Sequence, residues 1–198
     1  MANLSDIFDK NRYNLDDASS KSRQWFNQQV LLLSKQRITP NKVIKNAPSD
    51  EIVKNILPGN LYMYAYDPKT KETLPYYDRF PLVFPFSPTE DGFIGLNMHY
   101  LPYQLRIKLL DSLMIFASNT RMDKTTKLKY SWAAIDGVSR FSLAKPCVKR
   151  YIYSHIKSQI RKVNPEDWAT AMLLPVEKFN GASIMEVWND SRKLARRV

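Results

Sequence analysis

The spacing of hydrophobic residues divides the chain into helical flanks and a middle section with strand-like alternation. Over residues 16–36 apolar side chains recur at helical spacing, and the same period returns over residues 102–118 and 145–160. Between residues 58 and 101 the period shortens to two. We therefore predict an α+β fold, in which a small bent antiparallel sheet, or an SH3-like or OB-like barrel, is flanked by N- and C-terminal helices.

The same pattern predicts two regions along the chain. Residues 1–57 are predicted to form an N-terminal helical extension and a connector. Residues 58–198 are predicted to form the core α+β domain, which ends in a basic, C-terminal helical region. No internal repeat or low-complexity tract is present.

The first predicted strand is LYMYAYD, at residues 61–67. Its alternation places Leu61, Met63 and Ala65 on one side and three tyrosines on the other.

The second and third predicted strands, residues 80–86 and 93–101, flank a short loop. That loop ends in Asp91-Gly92, a dipeptide typical of tight turns. The two strands are therefore predicted to pair as a hairpin.

The stretch LPYYDRFPLVFPF, at residues 74–86, combines prolines with aromatic residues. Pro81 and Pro85 cannot donate backbone hydrogen bonds, which predicts an edge strand that helps to close the core rather than a ligand-binding surface. Asp78 and Arg79 are adjacent and point apart in an extended chain, so each needs a different partner.

The net charge of +11 is concentrated at the C-terminal end. Residues 140–198 carry twelve Lys and Arg against five acids, whereas residues 60–139 carry nine against eight. Such asymmetry indicates an acidic partner, most commonly nucleic acid. A docking face for an acidic protein and a merely solvated basic face are the alternatives.

Basic residues within and after residues 145–160 are the candidate nucleic-acid contacts. They alternate with Tyr151 and Tyr153, which could stack on unpaired bases or belong to the core. As cations along one flank of a predicted helix they could follow DNA phosphates. The candidates are Lys145, Lys149, Arg150, Lys157, Arg161, Lys162, Arg192 and Lys193.

The sequence offers little support for catalysis. His99 and His155 have no acidic residue or cysteine at metal-ligand spacing, and no phosphate-binding glycine loop is present. A Mg²⁺-dependent nuclease is the weakest of the functions considered, because the acidic residues near lysines lack the spaced pattern such sites use. The basic surroundings of Cys147 could lower its pKa, but no partner residues mark it as a nucleophile. We expect neither enzymatic activity nor a cofactor or bound metal.

Membrane insertion is not expected either. No apolar run approaches the ~20 residues that span a bilayer, and the polar N-terminal sequence MANLSDIFDKNRYNLDD has no secretory signal pattern. A single cysteine excludes an intramolecular disulfide.

Several blocks of the sequence resemble a known family. LYMYAYDPKTKETLPYYDRFPLVFPF, DGFIGLNMHYLP and KPCVKRYIYSHIKSQ are similar to DNA end protectors of T-even-like myophages and their marine relatives. The similarity covers roughly residues 19–180, and YDPKTKETLPYYDRFPL is its most specific block.

The resemblance implies a non-enzymatic bacteriophage virion protein, made in the bacterial cytoplasm. Such a protein would bind DNA without sequence specificity and shield the genome end from host exonuclease. The alternative is a structural component of the neck, tail or baseplate that acts through protein–protein contacts. The expected partners are DNA phosphates and other phage structural proteins; whether the protein forms homo-oligomers in the particle stays open.

Overall fold

The computed structural model describes residues 28, 30–32, 35, 38–103, 105–107, 110, 123–140 and 142–196. Eight strands are present in this part of the chain: β1 Ile52–Val53, β2 Leu61–Met63, β3 Tyr77–Asp78, β4 Leu82–Thr89, β5 Gly92–Asn97, β6 Val148–Ile152, β7 Ile160–Val163 and β8 Phe179–Asn180. Four α-helices have both of their ends within the described residues: α1 Pro40–Lys45, α2 Lys124–Ser139, α3 Trp168–Leu173 and α4 Ile184–Arg196. Short 3₁₀ helices occupy Ser49–Glu51, Met98–Tyr100, Ser142–Cys147, Tyr153–His155 and Pro165–Asp167.

Six strands form one antiparallel sheet in the order β1-β7-β2-β4-β5-β6, and β3 and β8 form a separate two-stranded sheet. The α+β class and the antiparallel sheet are confirmed. The sheet is open, with β1 and β6 at its edges, so the alternative of a closed barrel is wrong. The sheet also extends beyond residues 58–101, because β1, β6 and β7 come from the flanks.

Both faces of the sheet are buried, and the side chains of LYMYAYD alternate between the two faces as predicted. Leu61 and Met63 belong to the main hydrophobic core, and Ala65 packs against this core. The opposite face holds a second cluster, which we call the tyrosine cluster; it consists of Tyr62, Tyr64, Tyr66, Val83, Phe93 and Tyr151. Its rings meet mostly edge to face, the arrangement favoured by the charge distribution of aromatic rings.

The predicted hairpin is confirmed, but its first strand is central in the sheet, so the prediction of an edge strand is wrong. β4 lies between β2 and β5. β2 pairs only with Leu82 and Val83, so Pro85 lies beyond that ladder, and its carbonyl accepts a bond from the Gly59 amide at 3.2 Å. A bulge between Pro85 and Ser87 interrupts the pairing with β5. The short partner strand and the bulge together remove the need for a proline N–H.

The prediction of a helix over residues 145–160 is also wrong. This segment forms a 3₁₀ turn, strand β6, a second 3₁₀ turn and the start of β7. β6 pairs with β5 along its whole length, from Leu96 opposite Val148 to Gly92 opposite Ile152. Valine, isoleucine and tyrosine fit a pleated surface well, and the exposed edge of the β4–β5 hairpin provides the partner.

Two other predicted helices fall partly outside the described residues. Within residues 16–36, the described positions 28 and 30–32 are helical. Within residues 102–118, the described positions 103, 105–107 and 110 are helical. No helix in the described part of the chain is both long enough and apolar enough to cross a bilayer.

A buried arginine joins the C-terminal elements to the sheet. Arg106 is fully buried, and its Nε donates to the carbonyl of Leu101 at 2.6 Å. Its terminal nitrogens donate to the carbonyl of Met172 at 3.2 Å and to Glu177 Oε1 at 3.2 Å. The guanidinium also lies over the rings of Tyr103 and Trp188. These contacts fix α3 and α4 against the end of the main sheet.

Candidate nucleic-acid interface

Two neighbouring cavities of about 650 and 450 Å³ share Tyr66 and Tyr77 in their walls. We call the two together the basic groove. The larger cavity lies against β6 and the loop at residues 67–76, and the smaller one lies beside Arg79 and Lys157.

Backbone hydrogen bonds hold the walls of the groove in place. The amide of Tyr66 donates to the carbonyl of Arg79 at 2.9 Å, and the amide of Lys157 donates to the carbonyl of Ala65 at 2.8 Å. The loop returns through β3, in which Tyr77 pairs with Asn180 of β8. The shape of the groove is therefore set by sheet contacts rather than by the loop alone.

Cations outnumber acids in the groove. Lys69, Lys71, Arg79, Lys149, Arg150 and Lys157 line it, against Asp67, Asp78 and Asp91. Two of the acids are engaged by groove cations: Lys71 lies 3.1 Å from Asp67, and Arg150 lies 2.8 Å from Asp91. Both ion pairs are exposed, so they stabilise little and can be exchanged for phosphates at low cost.

Lys149 is the groove cation with the least access to solvent. Its Nζ lies 4.2 Å from the centre of the Tyr100 ring, at the wall of the larger cavity. Burial lowers the pKa of this ammonium, which the Cys147 thiol nearby partly offsets. No carboxylate in the described part of the chain forms an ion pair with it, so an anion entering the cavity would restore the solvation it lacks.

A buried polar network supports the floor of the larger cavity. Asp78 Oδ2 accepts from Asn97 Nδ2 at 3.0 Å and shares a 2.8 Å hydrogen bond with His99 Nδ1. Asp78 Oδ1 accepts from the Phe80 amide at 3.0 Å, and Asn97 Nδ2 also donates to the Tyr151 hydroxyl at 3.0 Å. Asp78 is only 4% exposed, whereas the neighbouring Arg79 is exposed, so the two adjacent side chains lie in different surroundings.

The structure brings three of the eight candidate residues into the groove: Lys149, Arg150 and Lys157. Arg161 is instead 1% exposed. Its Nε and Nη2 lie 2.7 Å from Glu51 Oε2, and its Nη1 donates to the carbonyl of Val43 at 2.7 Å. Arg161 thus ties the connector to β7, and its charge does not reach the surface.

The other four candidates lie elsewhere. Lys145 is exposed in the 3₁₀ helix before β6, and Lys162 lines a separate cavity beside Trp168. Arg192 and Lys193 are exposed on α4, where Lys193 lies 3.4 Å from Asp190. None of these four lines the basic groove.

The C-terminal helix α4 begins with a reciprocal cap. The Ser183 amide donates to Glu186 Oε2 at 2.7 Å, and the Glu186 amide donates to Ser183 Oγ at 3.3 Å. The cap lowers the pKa of Glu186, because the Ser183 amide and hydroxyl both donate to its carboxylate.

Three groove cations were missed by the sequence reasoning: Lys69, Lys71 and Arg79. They lie in the middle third, whose overall charge is close to neutral. A local signal was present, since PKTKET places two lysines beside a tyrosine-rich stretch. Counting charge over whole thirds of the chain concealed it.

Side chains that bind metals are not grouped in the described residues. No cluster of three or more potential metal ligands occurs among them. Burial raises the pKa of Cys147 to about 12, because it outweighs the lowering of the pKa by the neighbouring cations Lys149 and Arg106. His155 Nδ1 shares a 2.7 Å hydrogen bond with the Asp67 carbonyl and helps to hold the groove loop.

Comparison with protein families identifies the chain. Residues 6–191 match the model of the family described as phage T4 terminal DNA protecting protein. Searches among curated proteins and among solved structures gave no match. Because the family match covers nearly all of the sequence, the chain belongs to the family of the phage T4 terminal DNA protecting protein.

Proposed function

We propose that this protein binds the end of the packaged phage genome in the virion, without sequence specificity, and shields it from host exonuclease. The basic groove is the observation that supports this function most directly. Six cations converge there from separate parts of the sequence, around a wall of tyrosine side chains. The membership of the chain in a family of terminal DNA protecting proteins supports the same function.

Binding proceeds by phosphate neutralisation. Each Lys or Arg that meets a phosphate releases condensed counterions, so affinity falls steeply as salt concentration rises. The exposed pairs Lys71–Asp67 and Arg150–Asp91 open to admit phosphates, since each is worth little in solvent. A DNA end held in this way is sterically closed to an exonuclease that must thread or grip the terminus.

Absence of sequence specificity follows from the groove lining. Charged side chains contact phosphates, and aromatic rings stack on any base, because every base has a π face. The described groove walls are strands and a loop, and they present no helix of the kind that reads bases in the major groove.

The proposal is tested by mobility shift on linear and circular DNA of the same sequence at two salt concentrations. We expect binding at low salt, weaker binding at high salt, and tighter binding to the linear form. Lack of binding to both forms at low salt would remove DNA binding from the function.

Two matched double variants locate the contact surface. Lys69→Met with Lys157→Met removes two exposed groove cations, and Arg192→Met with Lys193→Met removes two exposed cations from α4. The groove double variant is expected to reduce the slope of log affinity against log salt concentration by an amount that corresponds to about two phosphate contacts. If only the α4 double variant loses DNA affinity, the DNA instead binds at the C-terminal helix.

A structural component of the particle would present apolar side chains to its neighbours. Leu57 is 52% exposed, Trp132 is 43% exposed, and Met185 on α4 is 57% exposed. Single exposed apolar side chains are common on folded proteins, and they indicate a protein contact where they form one contiguous patch. A role in the neck, tail or baseplate predicts that these residues lie against neighbouring subunits, which can be checked by locating the protein in intact particles.

A further inference from the structure

We propose that the larger cavity of the basic groove accommodates the terminal nucleotide of a DNA strand, with its base on Tyr77 and its phosphate at Lys149. This inference rests on the proposed function and deepens it. Under this inference the protein has a specific binding site for the end of a DNA strand, and not only a surface that binds phosphates anywhere along the duplex.

The size and lining of the cavity fit one nucleotide. Its volume of about 650 Å³ lies within the range of small-molecule sites, and its walls combine apolar rings with a few cations. Tyr76, Tyr77 and Tyr100 contribute rings, while Lys69 and Arg150 lie at the exposed rim. A duplex, whose major groove alone is about 12 Å wide, cannot enter a space of this volume, but a single unpaired nucleotide can.

Tyr77 is positioned to stack on a base. It is half-buried in β3, and its hydroxyl accepts a hydrogen bond from Asn180 Nδ2 at 2.9 Å, which fixes the ring. Among the described residues no other aromatic ring packs on it, whereas Tyr76 and Tyr100 pack against each other and against Phe179. The Tyr77 ring therefore combines a fixed position with a face that is not used by the core.

Lys149 is positioned to receive the phosphate. Its ammonium lies at the wall of the cavity over Tyr100, without a carboxylate partner in the described structure. By contrast, Arg150 at the rim is held by Asp91 at 2.8 Å. A phosphate that reaches Lys149 gains a charge-assisted contact in surroundings that exclude much of the water.

A strand terminus enters such a cavity more easily than an internal nucleotide. An internal base must leave the stack on both sides and be rotated about a continuous backbone, whereas a terminal base has only one stacking neighbour and one phosphate link. The cavity therefore favours DNA ends, and most strongly ends whose last base is unpaired.

The inference is tested with a short duplex that carries 2-aminopurine as an unpaired terminal nucleotide. The fluorescence of 2-aminopurine falls when this base stacks on an aromatic ring, so a decrease in fluorescence reports its insertion into the cavity. A duplex with the same base at an internal position and a circular DNA of the same sequence serve as references. We expect fluorescence to fall only with the terminal probe, and competition by circular DNA to be weak.

Four variants give the inference its controls. Tyr77→Leu removes the ring, and Tyr77→Phe keeps it; Lys149→Met removes the half-buried charge, and Lys193→Met removes an exposed charge on α4. A fifth variant, Lys69→Met at the rim, leaves the core untouched and remains informative if Lys149→Met fails to fold. Tyr77→Leu and Lys149→Met are each expected to lose about tenfold in affinity for the terminal probe, the typical effect of removing one stacking or charged contact.

The possible outcomes separate this inference from the proposed function. If Tyr77→Phe and Lys193→Met keep the end preference while Tyr77→Leu, Lys149→Met and Lys69→Met lose it, the terminal-nucleotide site is supported. If the wild type prefers linear DNA but does not quench the terminal probe, or if the groove variants weaken binding to linear and circular DNA alike, the inference is wrong and the proposed function stands. If the wild type binds linear and circular DNA equally, neither the terminal-nucleotide site nor the proposed end binding is supported, and only general DNA binding remains. If the wild type binds no DNA, both fall.

Discussion

Replacement of Arg161 by methionine distinguishes a structural arginine from a DNA-contacting one. Charge pattern alone assigned Arg161 to the DNA surface, whereas the structure buries it against Glu51 and the carbonyl of Val43. The variant leaves the Glu51 carboxylate, itself only 7% exposed, with the 3.2 Å bond from Asn164 Nδ2 but without its cation. The two assignments therefore predict opposite effects on stability and on DNA binding.

The expected loss of stability is large. Removing one partner of a buried ion pair costs about 3–5 kcal/mol, because the remaining charge is left uncompensated in a poorly solvated place. That is a sizeable share of the ~5–15 kcal/mol by which folded proteins are stable. For a chain of this length the midpoint of thermal unfolding should fall by on the order of 10 °C.

Urea unfolding followed by circular dichroism measures the effect. Arg192→Met, which removes an exposed arginine, is the matched control and should stay within about 0.5 kcal/mol of the wild type. Combining Arg161→Met with Glu51→Leu should recover much of the loss, since an apolar pair can replace a buried ion pair. At a temperature where Arg161→Met is folded, its DNA affinity and salt dependence should match those of the wild type. Wild-type stability together with weakened DNA binding would refute the structural assignment.

Three further predictions concern the fold. Gly92→Ala should unfold the protein or strongly destabilise it in urea, because the added Cβ would lie 1.8 Å from the Tyr151 carbonyl oxygen. In the control Gly137→Ala, in α2, the added Cβ meets nothing within 4 Å, so this variant should raise the free energy of unfolding by about 0.5–1 kcal/mol. Cys147 should not react with a chromogenic disulfide reagent at mildly alkaline pH until the protein is unfolded, because burial both blocks access and raises its pKa to about 12; rapid reaction of native protein would contradict this. Burial alone would raise the pKa of Glu177, but the neighbouring Arg106 lowers this pKa below its ordinary value of 4.5. The ionised Glu177 therefore stabilises the fold fully above about pH 4.5, and this contribution is lost as the pH falls through the lowered pKa. Measured by urea unfolding, stability should therefore depend less on acid pH in Glu177→Gln than in the wild type, and an unchanged dependence would contradict the assignment.

The parts of the fold that could be predicted are those in which one local pattern decides the outcome. In LYMYAYD, strict alternation sends Leu61 and Met63 to one core and the tyrosines to another, and no other element type fits that period. Asp91-Gly92 likewise predicts the β4–β5 hairpin, since a tight turn between two apolar runs leaves few other pairings.

Prediction failed where two periods fit the same residues. In residues 145–160, apolar side chains satisfy helical spacing as well as strand alternation, and the choice is made by the free edge of β5, a contact distant in sequence. The prediction that Pro85 lies in an edge strand was wrong for a related reason. Its place in the sheet depends on how far β2 extends and where the bulge lies, neither of which is encoded at the proline itself.

The site was predicted in part. Lys149, Arg150 and Lys157 belong to the basic groove, but Lys71 and Arg79 join them only through the folding of a distant loop. Charge counts along the chain report the sign of a partner, and they cannot separate exposed cations from buried ones such as Arg161. Separating them requires knowledge of which carboxylate lies beside each cation.

Exonuclease protection of linear DNA is the most direct test of the central claim that the basic groove covers a DNA end. Linear DNA is incubated with wild-type protein, with the double variant Lys69→Met and Lys157→Met, or with the double variant Arg192→Met and Lys193→Met, and a double-strand-specific exonuclease is then added. The account predicts that wild-type protein and the α4 variant delay digestion, that the groove variant does not, and that high salt abolishes the delay. Digestion at the rate of free DNA with wild-type protein at low salt, or equal protection by the groove variant, would contradict it.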